Sequence, residues 1–400
     1  MSDTMKVYFQ GLNACIGRRP DVQRYASFIR ECGHALVTKP ADADMLLIWA
    51  CGFRKDFADT SFALIQNYAT EHGEQNVVVC GCLPAIDEQR LRDVFPGKYF
   101  KWAEDTAAMD ALFSPEGKSF AQVPRILSEP QHTDDFRKFW EDDTQHDPSY
   151  YDQFAKIFIS EGCRYRCAYC AERLAFPDYA SFPQVDILAA CRAELDSGRT
   201  NKLMLVGDSL GDYGRDTGGS LPELIDAVLA LRPDVKVGLL NLNPADFHVY
   251  KDYLVAGFKK GELFDCLLPI QSASDRLLGK MNRTYTKAQV QEIAQTLNDM
   301  HFKEWTSHFI VGFPTETEDD HQQTLDFLSS YRPKYVMAST YMESPQMPSA
   351  AIGDKVPAEL AHHRMMRLAA LCRELGIICN YDGCEYAQRR SARRNTHNAA

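Results

Sequence analysis

The feature that most limits how this chain can fold is a repeated alternation of short apolar runs with longer amphipathic stretches. Residues 5–10, 45–50 and 76–80 read as strands, with helical patterns near 22–32 and 57–72 and another opening at 91–94. Strands separated by helices imply a parallel sheet with crossover connections. The stretch 114–151, with Pro115, Pro124, Pro130, Pro148 and many charges, reads as a surface linker. The alternation then resumes, with strands expected over 156–160, 202–206, 236–240, 265–270, 306–311 and 335–340. Helices are expected over 185–195, 221–231, 245–256, 287–300, 318–328 and 358–375. Six βα units fall short of a closed eight-stranded barrel and predict a partial one, open on one side. The expected fold class is therefore α/β. A doubly wound parallel-sheet domain occupies 1–125, a linker 126–155, a partial (βα)6 barrel 156–345, and a helical extension with a basic tail 346–400.

Composition narrows the function classes. A chain of 400 residues is long for one core, and its 45% hydrophobic and 25% charged residues are those of an ordinary soluble protein. No leader pattern precedes the first strand, and no apolar run approaches the ~20 residues that cross a bilayer. A cytoplasmic protein without membrane association is expected, in which the 13 cysteines stay reduced. There, cysteine clusters signal metal or catalysis more often than disulfides. The formal net charge of −11 speaks against broad, charge-driven nucleic-acid binding but leaves a local basic groove open. The basic run Arg389-Arg390-Ser391-Ala392-Arg393-Arg394 reads as a solvated tail.

Cys163, Cys167 and Cys170 carry the strongest chemical signal. Three thiolates in one loop after the first barrel strand suit three corners of a cubane iron–sulfur cluster and leave its fourth iron open. The amino and carboxylate groups of S-adenosylmethionine suit that open iron, and one electron from the cluster can cleave its S–C bond. By spacing alone, a zinc site with a distant fourth ligand serves equally. Position favours the cluster, because barrel active sites form at the carboxyl ends of the strands. Tyr169 adds an aromatic face beside the third cysteine.

The N-terminal region repeats this logic. Cys15, Cys51 and Cys82 each follow one of the first three strands, whose carboxyl ends share one sheet edge. They suit a second cluster with an open iron; the alternative is three buried structural thiols. Cys80, two residues before Cys82, is a spare candidate if the strand continues. Cys32, Cys191, Cys266, Cys372, Cys379 and Cys384 are expected to be structural. On the barrel rim, Gly207, Asp208, Ser209, Asn241, Asn243, Gln271 and Gly312 fall just past strand ends as a ring of cofactor contacts. For any one of these alone, a turn or cap role competes. No catalytic side chain is assigned.

The two cysteine sets in this order resemble the radical S-adenosylmethionine methylthiotransferases, over nearly the whole chain to about Leu375. The resemblance extends to Ile159-Ser160-Glu161-Gly162, to the loop from Val206 to Gly214, and to Gln271-Ser272-Ala273-Ser274-Asp275. It continues through Met281-Asn282-Arg283-Thr284-Tyr285 and Ile310-Val311-Gly312-Phe313-Pro314. It implies two [4Fe-4S] clusters, with the N-terminal one holding the sulfur donor. One S-adenosylmethionine would methylate that sulfur and a second would generate the radical that removes a substrate hydrogen. The family's usual C-terminal TRAM domain is not expected in the 25 residues after Leu375. Glu172-Arg173-Leu174-Ala175-Phe176-Pro177-Asp178-Tyr179 replaces an arginine-rich segment, His308 stands at a more often acidic position, and Ala273 replaces a glycine.

These departures and the acidic charge favour sulfur insertion, as methylthio, into a C–H bond of a peptide, protein side chain or small metabolite, with a flavodoxin or ferredoxin as reductant. A tRNA-adenosine methylthiotransferase is the disfavoured alternative, although the Gly207–Gly214 loop resembles members that modify threonylcarbamoyl-adenosine. Two further readings stay open. One is a non-catalytic iron–sulfur electron carrier, and the other is radical chemistry in which the second cluster only relays electrons.

Overall fold

The computed structural model describes residues 4–12, 16–53, 55–114, 117–128 and 154–380. These form two units. Among the described residues, the first takes in the chain up to residue 128 together with Cys170–Asp178 and Glu343–Gln346, and the second takes in the rest. Most of the expected linker and the whole basic tail, with Cys384, lie outside the described residues.

The first unit is built on five parallel strands: β1 (Lys6–Leu12), β2 (Ala35–Val37), β3 (Met45–Ala50), β4 (Val77–Gly81) and β5 (Lys98–Tyr99), in the order β2-β1-β3-β4-β5. The short strands β2 and β5 are additions to the sequence reading, and β2 changes its meaning. The chain leaves β1 for β2 on one side and then returns to β3 on the other, so the strand order reverses between β1 and β3. Open α/β sheets bind ligands at that reversal, beyond the strands' carboxyl ends.

Strand β3, Met-Leu-Leu-Ile-Trp-Ala, is apolar throughout, as a strand covered on both faces must be. Leu47 and Trp49 pack with Val78 and Cys80 against Val22, Tyr25 and Phe28 of helix Arg19–Glu31 and Met109 of Asp105–Phe113. Leu46, Ile48, Val77 and Val79 face Ala58, Phe62 and Ile65 of helix Lys55–His72 and Leu91 of Glu88–Val94. The doubly wound architecture follows from this alternation, each buried Leu, Ile or Phe contributing about 1.5–3 kcal/mol of transfer free energy.

The second unit holds β6 (Ala155–Phe158), the short antiparallel pair β7 (Ser160–Glu161) and β8 (Ala180–Ser181), then β9 (Lys202–Val206), β10 (Lys236–Leu240), β11 (Leu263–Gln271), β12 (Trp305–Val311), β13 (Tyr335–Thr340) and β14 (Ile378–Cys379). Its main sheet is parallel and runs β14-β13-β12-β11-β10-β9-β6. Six strands alternate with helices in chain order as a partial barrel requires, and β14 is a short seventh that the sequence pattern did not announce. The expected helix 245–256 is instead two, Pro244–Val249 and Lys251–Lys260. The break falls at Tyr250, whose backbone leaves helical geometry while its hydroxyl reaches the Gly211 carbonyl at 3.4 Å. Among the described residues no helix is long and apolar enough to cross a membrane.

Gly81 ends β4 at φ 90°, and a Cβ there would sit 2.9 Å from the Ala50 carbonyl oxygen. Only glycine takes this turn without strain. Gly81→Ala is expected to lower unfolding free energy by about 2 kcal/mol, the scale of a left-handed residue with a Cβ. Urea denaturation under anaerobic conditions measures it, and a wild-type midpoint would refute this account of the turn.

Candidate active site

Cys51 directly follows β3 and Cys82 directly follows β4, and the preceding residues, Ala50 and Gly81, are register partners. The two cysteines therefore leave neighbouring strand ends beside the reversal point of the sheet. Both are buried, at 8% and 9% exposure. A Cβ on Gly52 would lie 3.0 Å from the Leu83 Cα, so the chain after Cys51 abuts the helix Leu83–Ile86 after Cys82. Ser61 Oγ donates to the Cys51 carbonyl at 3.2 Å and fixes that corner. Cys15 lies outside the described residues. Cys80 does not join this edge. The turn at Gly81 breaks the strand alternation, and the Cys80 side chain sits in the core beneath helix Arg19–Glu31, where burial pushes its thiol pKa well up.

Cys163 and Cys167 belong to the second unit, and Cys170 opens the segment Cys170–Asp178 of the first. Cys167 is buried, while Cys163 and Cys170 are half-buried. In the first unit that segment is anchored by Arg18, which donates to Glu172 Oε1 at 3.1 Å and lies 3.4 Å from the centre of the Phe176 ring. None of the described cysteines is in a disulfide. Among the described residues no three His, Cys, Asp or Glu side chains gather as ligands of a single ion do.

The rim of the second unit is shaped by left-handed backbone. Gly162, Asn241, Gln271 and Gly312, each just past or at a strand end, have φ of 75°, 69°, 72° and 78°. Such values are uncommon for residues with side chains and cost on the order of 1 kcal/mol or more, so they persist where surrounding structure imposes them. Asn241 is held by its Nδ2, which donates to the Gly207 carbonyl at 3.3 Å. Gly207 itself packs so closely that a Cβ would meet Ser160 Oγ at 2.6 Å. The Gly312 N–H donates to Glu316 Oε2 at 2.9 Å, and Glu316 is paired with Arg364 of the helix Ala358–Glu374 at 3.0 Å.

The other ring candidates have local partners. Asp208 Oδ2 accepts the Gly162 N–H at 2.8 Å, holding the residue before Cys163. Ser209 Oγ donates to Asp212 Oδ2 at 2.7 Å, and Asn243 Oδ1 accepts the Ala245 N–H at 3.0 Å to cap the helix Pro244–Val249. Tyr169 meets Phe313 edge-on at 6.5 Å, beside Met281 and Leu277.

Three consecutive residues after β11 add further contacts that grip the cysteine loop. The Met281 carbonyl accepts the Ala168 N–H at 2.9 Å, Asn282 Nδ2 donates to the Arg166 carbonyl at 2.6 Å, and Arg283 Nη1 donates to Cys167 Sγ at 3.0 Å. The sequence pattern marks this segment but points to no site residue in it, because a contact across 116 positions leaves no spacing signal.

Residues 157–328 match the Radical SAM superfamily, and residues 6–100 match the family described as Uncharacterized protein family UPF0004. The chain is 26% identical over 344 residues to the "Probable threonylcarbamoyladenosine tRNA methylthiotransferase" of Pyrococcus horikoshii, covering 85% of this chain and 78% of that protein. It is 28% identical over 406 residues to the ribosomal protein uS12 methylthiotransferase RimO of Heliobacterium modesticaldum, covering 94% and 80%. The chain thus carries a UPF0004 domain followed by a Radical SAM domain, and it is similar along most of its length to radical S-adenosylmethionine methylthiotransferases. Its fold is shared with the radical S-adenosylmethionine methyltransferase TsrM from Kitasatospora setae, with a TM-score of 0.61 at 12% identity over 87% of this chain and 77% of that one.

Methylthiotransferases of this family use two [4Fe-4S] clusters and S-adenosylmethionine, and the donors here fit them. Cys51 and Cys82 offer soft sulfur at the ligand-binding edge of the first sheet, and Cys167 Sγ already faces a cationic hydrogen-bond donor, as a negatively charged thiolate cluster requires.

Next to this loop the second unit buries an acidic pair. Arg215 bridges Asp212 at 3.0 Å and Asp246 at 3.1 Å, and both carboxylates are nearly inaccessible. Burial, and then repulsion from Asp212, push the Asp246 carboxyl up to about 6. Tyr165, between the first two cysteines, lies near Asp246, and burial followed by that carboxylate raises the phenol's pKa. The sign for Asp246 is that of a group binding its proton more tightly when folded. Its contribution is fully present below the unfolded value near 3.8 and is lost as pH rises through about 6. Asp246→Asn is therefore expected to remove a decline in stability of about 2 kcal/mol between pH 4 and 6. Urea midpoints across that range test this, and parallel curves for wild type and variant would contradict it.

The pair Glu316–Arg364 is 4% exposed on both sides. Arg364→Met leaves a buried carboxylate unpaired and is expected to cost about 3–5 kcal/mol. A loss below 1 kcal/mol in denaturant titration would show that solvent replaces the partner.

Proposed function

We propose that this enzyme inserts sulfur, as a methylthio group, into an unactivated C–H bond of a peptide, protein side chain or small metabolite. In this reading Cys163, Cys167 and Cys170 hold the cluster that binds S-adenosylmethionine, and Cys15, Cys51 and Cys82 hold the second. When bound, the first cluster supplies one electron for reductive cleavage of S-adenosylmethionine to a 5′-deoxyadenosyl radical. A flavodoxin or ferredoxin provides that electron. Region 1–125 serves as the methylthiotransferase-type domain and 156–345 as the radical barrel.

The chain's own residues do the positioning. Asp208 and the 281–283 segment hold the cysteine loop at both of its shoulders. Tyr169 presents an aromatic wall with Phe313, and Gly207, Ser209, Asn241, Asn243, Gln271 and Gly312 line the rim where the nucleoside and methionyl groups would lie. The observation that carries the reading is the placement of Cys51 and Cys82 on adjacent strand ends at a reversal point, which suits a site for sulfur delivery.

A protein or small-molecule acceptor is supported by the net charge of −11 and by the similarity to an enzyme named for ribosomal protein uS12. A tRNA acceptor is the second reading, favoured by the similarity to a threonylcarbamoyladenosine tRNA methylthiotransferase. Anaerobic enzyme with both clusters, given S-adenosylmethionine and a strong reductant, is expected to release 5′-deoxyadenosine. Replacing Cys51 and Cys82 by Ala should keep that release and abolish sulfur in the product. Wild-type product free of sulfur defeats the proposal. Mass spectrometry of proteins, metabolites and tRNA nucleosides from a deletion strain decides the acceptor, and loss of the mark from tRNA alone would establish the second reading.

A further inference from the structure

Arg283 is held by hydrogen bonds to a cysteine sulfur, a carbonyl and a phenol, and Asp246 acts on its charge only from beyond ion-pair distance. The three nitrogen groups of Arg283 are all committed: Nη1 to Cys167 Sγ at 3.0 Å, Nη2 to the Pro269 carbonyl at 2.9 Å and Nε to the Tyr285 hydroxyl at 2.8 Å. Tyr285 is itself fixed, its hydroxyl donating to the Ile270 carbonyl at 2.7 Å while its ring lies 4.9 Å from the guanidinium. The side chain is thus locked in one pose by the end of β11. Buried Arg364 meets the carboxylate of Glu316, and the exposed Arg215 meets the buried carboxylates of Asp212 and Asp246. Among the described residues no carboxylate forms an ion pair with Arg283. A cation drawn out of water without a counter-charge is costly, and the group facing it is a cysteine sulfur.

We propose that Arg283 is a positioning residue that sets the reduction potential of the cluster held through Cys167, by placing a fixed positive charge and an N–H···S hydrogen bond on that sulfur. The assignment rests on the reading of Cys167 as a cluster ligand. Adding one electron adds one negative charge, so a cation and a hydrogen bond at a ligating sulfur favour the reduced state and raise the potential. A lysine retains the charge but not the planar fork, whereas a methionine retains neither.

The test is an anaerobic redox titration of the full chain followed by electron paramagnetic resonance, reading the reduced-cluster signal that changes when S-adenosylmethionine is added. At the solution potential that half-reduces the wild-type cluster, Arg283→Met is expected to be reduced roughly tenfold less, with Arg283→Lys between the two. Retention of that signal by Arg283→Lys alone, with loss in Arg283→Met, also supports the charge assignment. A Met midpoint equal to wild type overturns it, as does loss of the signal from both variants, which would make the side chain a structural clasp. A wild-type protein with no signal responsive to S-adenosylmethionine overturns the cluster reading and this assignment together. Iron and sulfide content distinguishes that result from an unchanged midpoint.

Discussion

Parallel pairing is the constraint on which both units depend. It sends every strand of a sheet toward the same edge, and each strand must then turn sharply to begin its crossover. At that edge the chain crowds against its neighbour, as Gly81 does against Ala50 and Gly207 against Ser160. Left-handed residues are the geometric answer. Where glycine supplies them the conformation is cheap, but Asn241 and Gln271 adopt it despite their side chains. Observed strain of this kind points toward function, since it survives only when neighbouring structure over-determines it.

The same edge concentrates charge under burial. Glu316 and Arg364 are both buried and would each be unfavourable alone, as would the buried Asp212 and Asp246 without the exposed Arg215 that bridges them. They tie the rim to distant elements. The helix Ala358–Glu374 reaches Gly312 through Glu316, and the helix Pro244–Val249 reaches the cysteine loop through Asp246 and Tyr165. The cysteine loop owes its shape to residues scattered over half of the second unit rather than to its own sequence.

Much of the architecture was legible because burial on both faces writes itself as continuous apolar runs. The bounds of β9, β10 and β13 coincide with those expected from the sequence. Strands β2, β5 and β14, at three, two and two residues, are too short to show a pattern, and with β2 went the reversal of strand order that gives Cys51 its significance. Alternation carried across Gly81 would place Cys80 with Cys82, but the backbone turns away there. The cysteine spacing and the rim positions were visible as motifs. The partners of those residues were not, since Arg283 and Cys167, or Asp208 and Gly162, meet only through tertiary folding.

A chain with 13 cysteines faces a sorting problem, because metal and alkylating reagents alike take the thiolate. Burial solves part of it. Burial pushes the Cys80 and Cys266 thiols well up, burial holds Cys191 near 12, and Cys372 is raised by a thiol–thiol hydrogen bond with Cys379 and by burial. Desolvation therefore disfavours, at these four, the thiolate form that coordinates iron.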